Sequence, residues 1–494
     1  MPHVVTQSCV GDGSCVFACP VNCIQPTPDD PRFEHAEMLH IDPETCVDCG
    51  ACVSACPVEA IRPHSQLTPG EAPFEVINAA YHRTDSAVPR RPLAPVRPPL
   101  VVRLRGQAPR VAVVGSGPAA MYAADEILTI PGARVSVFER LPVPDGLVRS
   151  GVAPDHRRTR RIARQLERIR CDPRLTLHLG VEVGRDVIQE ALLQDHHAVV
   201  YGTGAATERP LELPGAALPG VMSATQLVGW YNGHPDHASR TVDLSSRRAV
   251  VIGNGNVALD IARMLTCDPE SLVDTEITRT ALDALRASRI EEVVVVGRRG
   301  PAHSAFTLPE LVGLAATPGI ALSVEGDGLA GELGVDPKLD LLRSLPAGAT
   351  GTRRVILRYW SAPVAVRGAR SVTGIELARS RAERGDAAAS GPAATQVLST
   401  GLVITSIGYR GAPVPELPFD AATGTVPNEG GRVVPGVYVV GWIKRGATGF
   451  IGTNKGCAQD TVATLVDDYN AGLLGVPLDA NHAAGTAPSR GRLP

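Results

Sequence analysis

One glycine-rich loop between an apolar strand and a helix constrains this chain more than any other segment. Val111–Val114 is short, apolar and β-branched, which is typical of a strand buried on both faces of a parallel sheet. The loop Gly115–Ala120 (GSGPAA) follows directly and leads into a helical pattern, so a pyrophosphate can approach the backbone at the helix start. The next predicted strand ends at Glu139, a carboxylate suited to a ribose hydroxyl. The segment predicts a dinucleotide-binding α/β fold and leaves FAD and NAD(P) open.

A second unit of the same kind begins at Arg247. Its strand precedes Gly253–Ala258 (GNGNVA), and the following strand, Glu292–Val296, leads to Arg298 and Arg299 instead of an acid. Guanidinium groups bind a 2′-phosphate through charged, forked hydrogen bonds, whereas a carboxylate would repel it. The second site is therefore predicted to take NADP(H), and the first site, by elimination, FAD.

Eight of the 11 cysteines lie within Cys9–Cys56, which indicates metal or redox chemistry rather than disulfides. The stretch from Cys46 to Pro57 has the C-x2-C-x2-C-x3-C-P spacing of bacterial ferredoxins. Zinc fits less well, because it needs four ligands and prefers two separated pairs. We predict that a [4Fe-4S] cluster is held by Cys19, Cys46, Cys49 and Cys52.

The upstream cysteines lack a matching C-x2-C-x2-C run. Cys9, Cys15 and Cys56 can supply three thiolates, which suit a [3Fe-4S] cluster and resemble the seven-iron bacterial ferredoxins. Asp12 is an alternative fourth ligand, which would complete a second [4Fe-4S] cluster. Cys23 is either a further ligand or a small buried neighbour of a cluster.

Charge is unevenly distributed in a chain of net charge −3. Residues 1–65 contain nine acidic residues and two arginines, and residues 66–108 are predicted to be a linker, rich in Pro and Arg in its later part. The predicted helix Arg157–Arg170 has an outer face of arginines. That face is either solvated or a docking surface for an acidic iron–sulfur protein. A nucleic-acid partner and a membrane span are not expected.

Several motifs together resemble the adrenodoxin-reductase type of ferredoxin–NADP reductases, in the form that carries a fused amino-terminal ferredoxin in mycobacteria. The resemblance covers roughly residues 109–470, and its motifs are GSGPAA, LPVPDGLVRSGVAPDH, GNGNVALDIAR, VVGRRGP and GWIKRGATGFIGTNK. The loop and the resemblance together give candidate FAD contacts at Gly115, Gly117, Pro118, Ala119, Ala120, Glu139, Leu147, Val183, Trp442, Gly449, Phe450 and Ile451.

The resemblance also implies an NADP-binding site. Its candidate NADP contacts are Arg209, Asn254, Gly255, Asn256, Val257, Arg298, Arg299, Glu310 and Gly449. The resemblance places His156 near the contact between nicotinamide and flavin, so His156 and Glu310 are the candidate catalytic residues. The family usually has a second acid in an E-L-R-E pattern, and here the corresponding stretch ends at Gly313.

The expected fold class is α/β, with two Rossmann-like domains preceded by a small α+β ferredoxin domain. The predicted domains are a ferredoxin domain at 1–65, a linker at 66–108, a discontinuous FAD domain at 109–207 and 408–475, an inserted NADP domain at 208–407, and a tail at 476–494. Met1–Val10 lacks the pattern of a signal peptide, so a cytoplasmic location is expected.

The function implied is an FAD-dependent NADPH–ferredoxin oxidoreductase. NADPH would give a hydride to FAD, and single electrons would then pass through the iron–sulfur clusters to the acceptor, in a sequence that is reversible in principle. The partners would be NADPH and a soluble ferredoxin or another one-electron acceptor. Alternatives are an electron-entry subunit similar to the glutamate synthase small subunit, and a redox sensor without catalysis. A disulfide reductase is disfavoured, because Cys171, Cys267 and Cys457 are isolated in the sequence.

Overall fold

The computed structural model describes residues 2–84, 93–103, 107–326, 329, 336–346, 351, 353–380 and 395–478. The predicted tail beyond residue 478 and part of the predicted linker lie outside these residues. The chain divides into two compact units, one comprising 1–95, 149–161 and 208–408, the other 96–148, 162–207 and 409–494. Among the described residues, no helix combines the length and apolar character needed to cross a bilayer.

The amino-terminal part of the first unit is a small α+β module. Its elements are the strands His3–Val5, Ile24–Gln25, His40–Ile41 and Ile61–Pro63, the helices Ser14–Ala18, Ala51–Ala55 and Pro73–Thr84, and the 3-10 turns Phe33–His35 and His64–Gln66. The first strand pairs with the last and the second with the third, both antiparallel. Apolar side chains and cysteines share one core, which explains how so short a segment holds its fold.

The module is built as an internal repeat. The segments GSCVFACP and GACVSACP each place a left-handed glycine, Gly13 or Gly50, before a five-residue helix that ends at a cysteine with the same backbone angles. At the constant offset of this repeat, Asp12 corresponds to Cys49. The two halves therefore differ in side-chain chemistry at that one ligand position.

The rest of the first unit is organised by a parallel sheet. Its strands, as far as the chain is described, lie in the order Val221–Ser223, Leu402–Thr405, Arg248–Ile252, Glu292–Val296, Arg354–Arg358 and Ala321–Glu325. The helices of this part are Arg157–Arg160, Ala224–Asn232, Asn256–Thr266, Arg279–Arg286, Leu308–Ala315 and Pro337–Ser344, with 3-10 turns at Pro269–Leu272 and Pro301–His303. An antiparallel sheet is formed by Ser361–Arg367, Gly374–Arg379 and Thr395–Ser399.

The second unit contains the other dinucleotide fold. Its strands, within the described ranges, lie in the order Arg432–Val434, Val437–Val439, Ala198–Tyr201, Arg110–Val114, Arg134–Glu139 and Leu175–Leu179; the first is antiparallel to its neighbour and the others are parallel. Its helices are Pro118–Leu128, Ile162–Arg170, Gln189–Asp195, Trp442–Arg445 and Thr453–Ala471. The elements at the points where the chain passes from one unit to the other are the helix Leu147–Ser150 and the short strands Thr207–Glu208 and Tyr409–Arg410.

Three local predictions were wrong. Within the predicted linker, residues 73–84 form a helix whose Phe74 is buried in the module core and whose Asn78 bonds to the backbone of Val5 and Ile41. The segment Leu141–His156 is rich in Pro and Gly, which predicts a loop, but it contains the one-turn helix Leu147–Ser150 after a positive-φ turn.

The third difference is in the arginine-rich helix, which is interrupted at Arg161. Arg160 does not belong to an outer face, because it is buried and donates to Glu276, to Asn232 and to backbone carbonyls. Arg158 and Arg161 pair with Glu71 and Glu59 of the iron–sulfur module. These two arginines therefore dock the acidic module of the same chain, one of the two interpretations considered for this face.

Candidate functional site

The first glycine loop lies in the second unit, between Arg110–Val114 and Pro118–Leu128. Gly115 has a φ of +98°, and a Cβ atom there would lie 2.7 Å from the carbonyl oxygen of Gly202. Gly117 precedes the helix, Pro118 is its first residue, and Ala119 and Ala120 are buried behind it. The loop therefore has the tight turn and close packing that a pyrophosphate site requires.

Glu139 holds the shape of this loop. One carboxylate oxygen accepts from the backbone N–H of Ser116 at 2.9 Å and from its hydroxyl at 2.6 Å. The other oxygen accepts from the N–H of Leu141 at 2.9 Å. Glu139 is buried and so fixes the carboxylate next to the glycine turn, where the sequence predicts the ribose.

The other predicted FAD contacts of this unit lie on different segments. Leu147 is partly exposed and Val183 is buried. Trp442 starts a short helix, donates from its indole to the carbonyl of Thr448 at 3.0 Å and packs at a tilt on Tyr409.

The segment Gly449–Ile451 precedes the long helix Thr453–Ala471. Gly449 is exposed, with a φ of +78°. Phe450 donates its N–H to the Thr453 hydroxyl at 2.9 Å, which ties this segment to the start of the helix.

The second glycine loop lies in the first unit. Gly253 has a φ of +110°, and Gly255 precedes the helix Asn256–Thr266, with open space where a Cβ atom would lie. The side chain of Asn256 accepts from the N–H of Thr307, and the carbonyl of Asn254 accepts from Phe306. These two hydrogen bonds connect the glycine loop, which Val257 follows, to the start of the helix Leu308–Ala315, which carries Glu310.

The predicted phosphate-binding arginines are exposed. Arg298 and Arg299 follow Glu292–Val296 at the carboxyl end of the parallel sheet, where ligands bind in open α/β folds. Arg209 is also exposed, and its N–H donates to the carbonyl of Gly408 at 3.1 Å. All three guanidinium groups are therefore accessible to an anionic ligand.

His156 lies in a cluster of charged side chains within the first unit. Its Nε2 atom is 2.6 Å from Nη2 of Arg263, 3.5 Å from Asp260 and 3.7 Å from Glu310. Arg263 is buried and also pairs with Asp155 and Asp260. The structure therefore brings together the two predicted catalytic residues and adds Asp155, Asp260 and Arg263, which lie within the motifs LPVPDGLVRSGVAPDH and GNGNVALDIAR but were not predicted as site residues.

The electrostatics of this cluster follow from burial and from Arg263. Burial raises the pKa of Glu310, although the nearby Arg263 guanidinium opposes that shift. Burial acts to raise the pKa of Asp155, but the attraction of Arg263 and its hydrogen bond, together with smaller contributions, lower it. His156, Asp260 and Glu310 offer metal-ligating atoms within 4.8 Å of one another. The Arg263 guanidinium supplies the positive charge there, which favours an ion-pair cluster over a metal site.

One set of thiols surrounds a cavity in the module. The residues lining it include Cys19, Cys46, Cys49 and Cys52, the predicted [4Fe-4S] ligands, together with Cys23. The Sγ atoms of Cys19 and Cys23 are 3.4 Å apart. Hydrogen bonding by Cys23 lowers the pKa of Cys19 to about 5, while the same bond and burial raise the pKa of Cys23.

The second predicted set also converges. Burial raises the pKa of Cys9 to about 12, with further repulsion from Cys56 and Asp12. Burial also raises the pKa of Cys15, and the charges of Cys9, Asp12 and Cys56 add to it. Because thiolates this close repel one another, the donor set suits a cationic iron cluster.

The glycine loops and parallel sheets define a class of protein, the two-dinucleotide reductases. Residues 109–297 match the family "Pyridine nucleotide-disulphide oxidoreductase", and residues 8–60 match the family "4Fe-4S dicluster domain". The predicted fold class is thereby confirmed.

The chain belongs to the ferredoxin–NADP reductase family, in its ferredoxin-fused form. It is 52% identical to the probable ferredoxin/ferredoxin–NADP reductase of Mycobacterium tuberculosis, over 97% of this chain and 86% of that protein. It is 42% identical to the human mitochondrial NADPH:adrenodoxin oxidoreductase, over 74% of this chain and 80% of that protein. The solved structure of M. tuberculosis FprA in complex with NADPH has a TM-score of 0.71 and 42% identity, covering 76% of this chain and 89% of that one.

Proposed function

We infer that this protein is an FAD-dependent NADPH–ferredoxin oxidoreductase. The observation that carries the inference is the union, in one chain, of two dinucleotide folds with a converging set of iron-ligating thiols. Relatives along nearly the whole chain are named for this activity. An electron-entry subunit of a larger complex is not favoured by these relatives.

Different residues of the chain are proposed to bind different parts of the two dinucleotides. We propose that Arg298 and Arg299 bind the 2′-phosphate of NADPH, and that Asn256 and Val257 present backbone N–H groups to its pyrophosphate. Glu139 would accept from the ribose of FAD beside the first glycine loop. Bound FAD supplies the chemistry that links a two-electron hydride donor to one-electron carriers.

The first iron cluster is proposed to be of the [3Fe-4S] type. Cys9, Cys15 and Cys56 supply three thiolates, and the repeat places Asp12 where the other half has Cys49. The [4Fe-4S] cluster would be held by the remaining predicted ligands, Cys19, Cys46, Cys49 and Cys52. The proposed role of Cys23 is to donate a hydrogen bond to Cys19 rather than to bind iron.

Steady-state turnover tests the proposed function directly. The holoprotein is incubated with NADPH or NADH and a soluble bacterial ferredoxin, whose reduction is followed through cytochrome c. The proposal predicts ferredoxin-dependent turnover with NADPH and much slower turnover with NADH. A holoprotein that reduces no acceptor with NADPH would contradict the proposal and favour a sensor.

A further inference from the structure

The iron–sulfur module reaches the acid Glu310. The side-chain amide of Gln7, just after the strand His3–Val5, donates from Nε2 to Oε2 of Glu310 at 3.0 Å. The same carboxylate oxygen is 3.7 Å from Nε2 of His156. A residue of the iron–sulfur module therefore touches Glu310, which the family resemblance gives as a candidate NADP contact and which lies beside His156.

Gly313 makes room for this contact. It lies about one turn after Glu310 on the helix Leu308–Ala315. A Cβ atom at position 313 would overlap the Gln7 carboxamide. The second acid of the related E-L-R-E pattern would fall at this position, so its loss opens the space that Gln7 fills.

The helix that carries Glu310 is fixed to the module at further points. Glu37 accepts from the backbone N–H of Leu308 at 2.7 Å and from Nζ of Lys338 at 3.1 Å. Val312 is buried within the apolar core of the module. Because the start and the middle of the helix are both held, the module imposes the position of Gln7 relative to Glu310.

We propose that Gln7 is a positioning residue, contributed by the iron–sulfur module to Glu310 in place of the family's second acid. This inference rests on the proposed function. Gln7 holds the Glu310 carboxylate beside His156 and favours its ionised form by donating to it. The geometry of Glu310 in the proposed NADPH site therefore depends on the folding of the iron–sulfur module.

The direction of the effect follows from the groups around the carboxylate. The helix Asn256–Thr266 presents Asp260 and Arg263 to Glu310. His156, just before the helix Arg157–Arg160, faces Glu310 from a second side, and Gln7 faces it from the module. Loss of the Gln7 hydrogen bond removes a contribution that lowers the pKa of Glu310, so the protonated acid persists to higher pH.

The test is stopped-flow flavin reduction by NADPH in the full holoprotein, measured across pH. Gln7→Leu should slow flavin reduction about three- to tenfold and move the acid limb of the pH profile to higher pH. Gln7→Lys, which adds a positive charge, should move that limb to lower pH. Gln66→Leu is the matched control, since Gln66 is exposed on the same module. Unchanged cluster absorbance in each variant shows that the module has folded.

Gly313→Ala provides an independent arm, because alanine favours the helix and displaces only the Gln7 amide. It should reproduce the Gln7→Leu effect, and the double variant should show no further loss. The inference would be overturned if Gln7→Leu reduced its flavin at the same rate as Gln66→Leu. It would also be overturned if the effects of Gln7→Leu and Gly313→Ala on that rate added fully in the double variant. A native protein whose flavin is not reduced by NADPH would instead contradict the proposed function itself.

Discussion

The guanidinium of Arg263 donates a hydrogen bond to Nε2 of His156 at 2.6 Å. Arginine has donors only, so this nitrogen is an acceptor and the imidazole carries its proton on Nδ1. Asp155 and Asp260 accept from the same guanidinium at 2.6 and 2.7 Å. Arg263 thus sets the tautomer of His156 while neutralising two carboxylates in a buried place.

Arg263→Gln is expected to destabilise the protein strongly. The substitution leaves Asp155 and Asp260 without their cation, and breaking a buried pair in this way costs about 3–5 kcal/mol. Thermal unfolding with FAD bound measures the loss. Arg279→Gln is the control, because the Arg279 side chain is 95% exposed and its partner Asp283 is 3.9 Å away. Equal melting temperatures for the two variants would contradict the role given to Arg263.

The nucleotide folds could be predicted from the sequence, whereas this cluster could not. A glycine loop after an apolar strand is a local signal, so both units were recognised at Gly115 and Gly253. Arg263 and Gln7 reach His156 and Glu310 from distant parts of the chain, and no spacing rule links them. Their contacts depend on tertiary packing, which a single sequence does not encode as a motif.

The helix Pro73–Thr84 has a periodic pattern of buried residues that its sequence already carries. Phe74, Asn78 and His82 are all buried and recur at four-residue intervals, which is the period of one helix face. The proline- and arginine-rich composition further along the chain made the whole region resemble a linker. Composition averaged over a long window thus concealed a short periodic element.

Replacing both Arg298 and Arg299 with alanine should reduce the preference for NADPH over NADH. Each charged hydrogen bond to the 2′-phosphate contributes about 1.5–3 kcal/mol. The NADPH/NADH ratio of kcat/KM should therefore fall at least about tenfold, because kcat/KM for NADPH falls while that for NADH stays nearly unchanged. Arg289→Ala is the control, since Arg289 is exposed and precedes the same strand at its opposite end. An unchanged NADPH/NADH ratio of kcat/KM would show that neither arginine binds the 2′-phosphate.

Asp12→Cys should complete the symmetry of the iron–sulfur module. The repeat places Asp12 where the other half has Cys49, so the new thiol supplies a fourth ligand beside Cys9, Cys15 and Cys56. Iron analysis should show one additional iron per chain, and EPR should show loss of the oxidised [3Fe-4S] signal. Iron content that does not change on this substitution would argue against the proposed ligand set.

His40 is expected to make the module sensitive to acid. Burial lowers the pKa of His40 from 6.5 to about 3, and the nearby His82 contributes to the shift. Because the unfolded chain binds a proton at higher pH than the folded one, stability is complete above about pH 6.5 and decreases as the pH falls toward 3, by up to ~1.4 kcal/mol per pH unit. Bleaching of cluster absorbance in fixed urea should therefore accelerate from pH 7 to pH 5.

His40→Phe should flatten that pH dependence while retaining the stack on Tyr81, whose ring centroid is 4.2 Å away. His35→Phe is the matched control, since His35 is exposed in the same module and its loss should leave the dependence intact. The same steep acceleration in His40→Phe as in the native protein would assign the acid sensitivity to another group.

Anaerobic titration with NADPH, followed by flavin absorbance and cluster EPR, tests whether one chain carries electrons from NADPH through its flavin site to its own iron clusters. We expect NADPH to bleach the flavin and then to generate the EPR signals of reduced clusters, with NADH far less effective. Flavin bleaching with clusters that stay oxidised after prolonged incubation would contradict the internal relay, and equal bleaching by both nucleotides would contradict the assignment of Arg298 and Arg299.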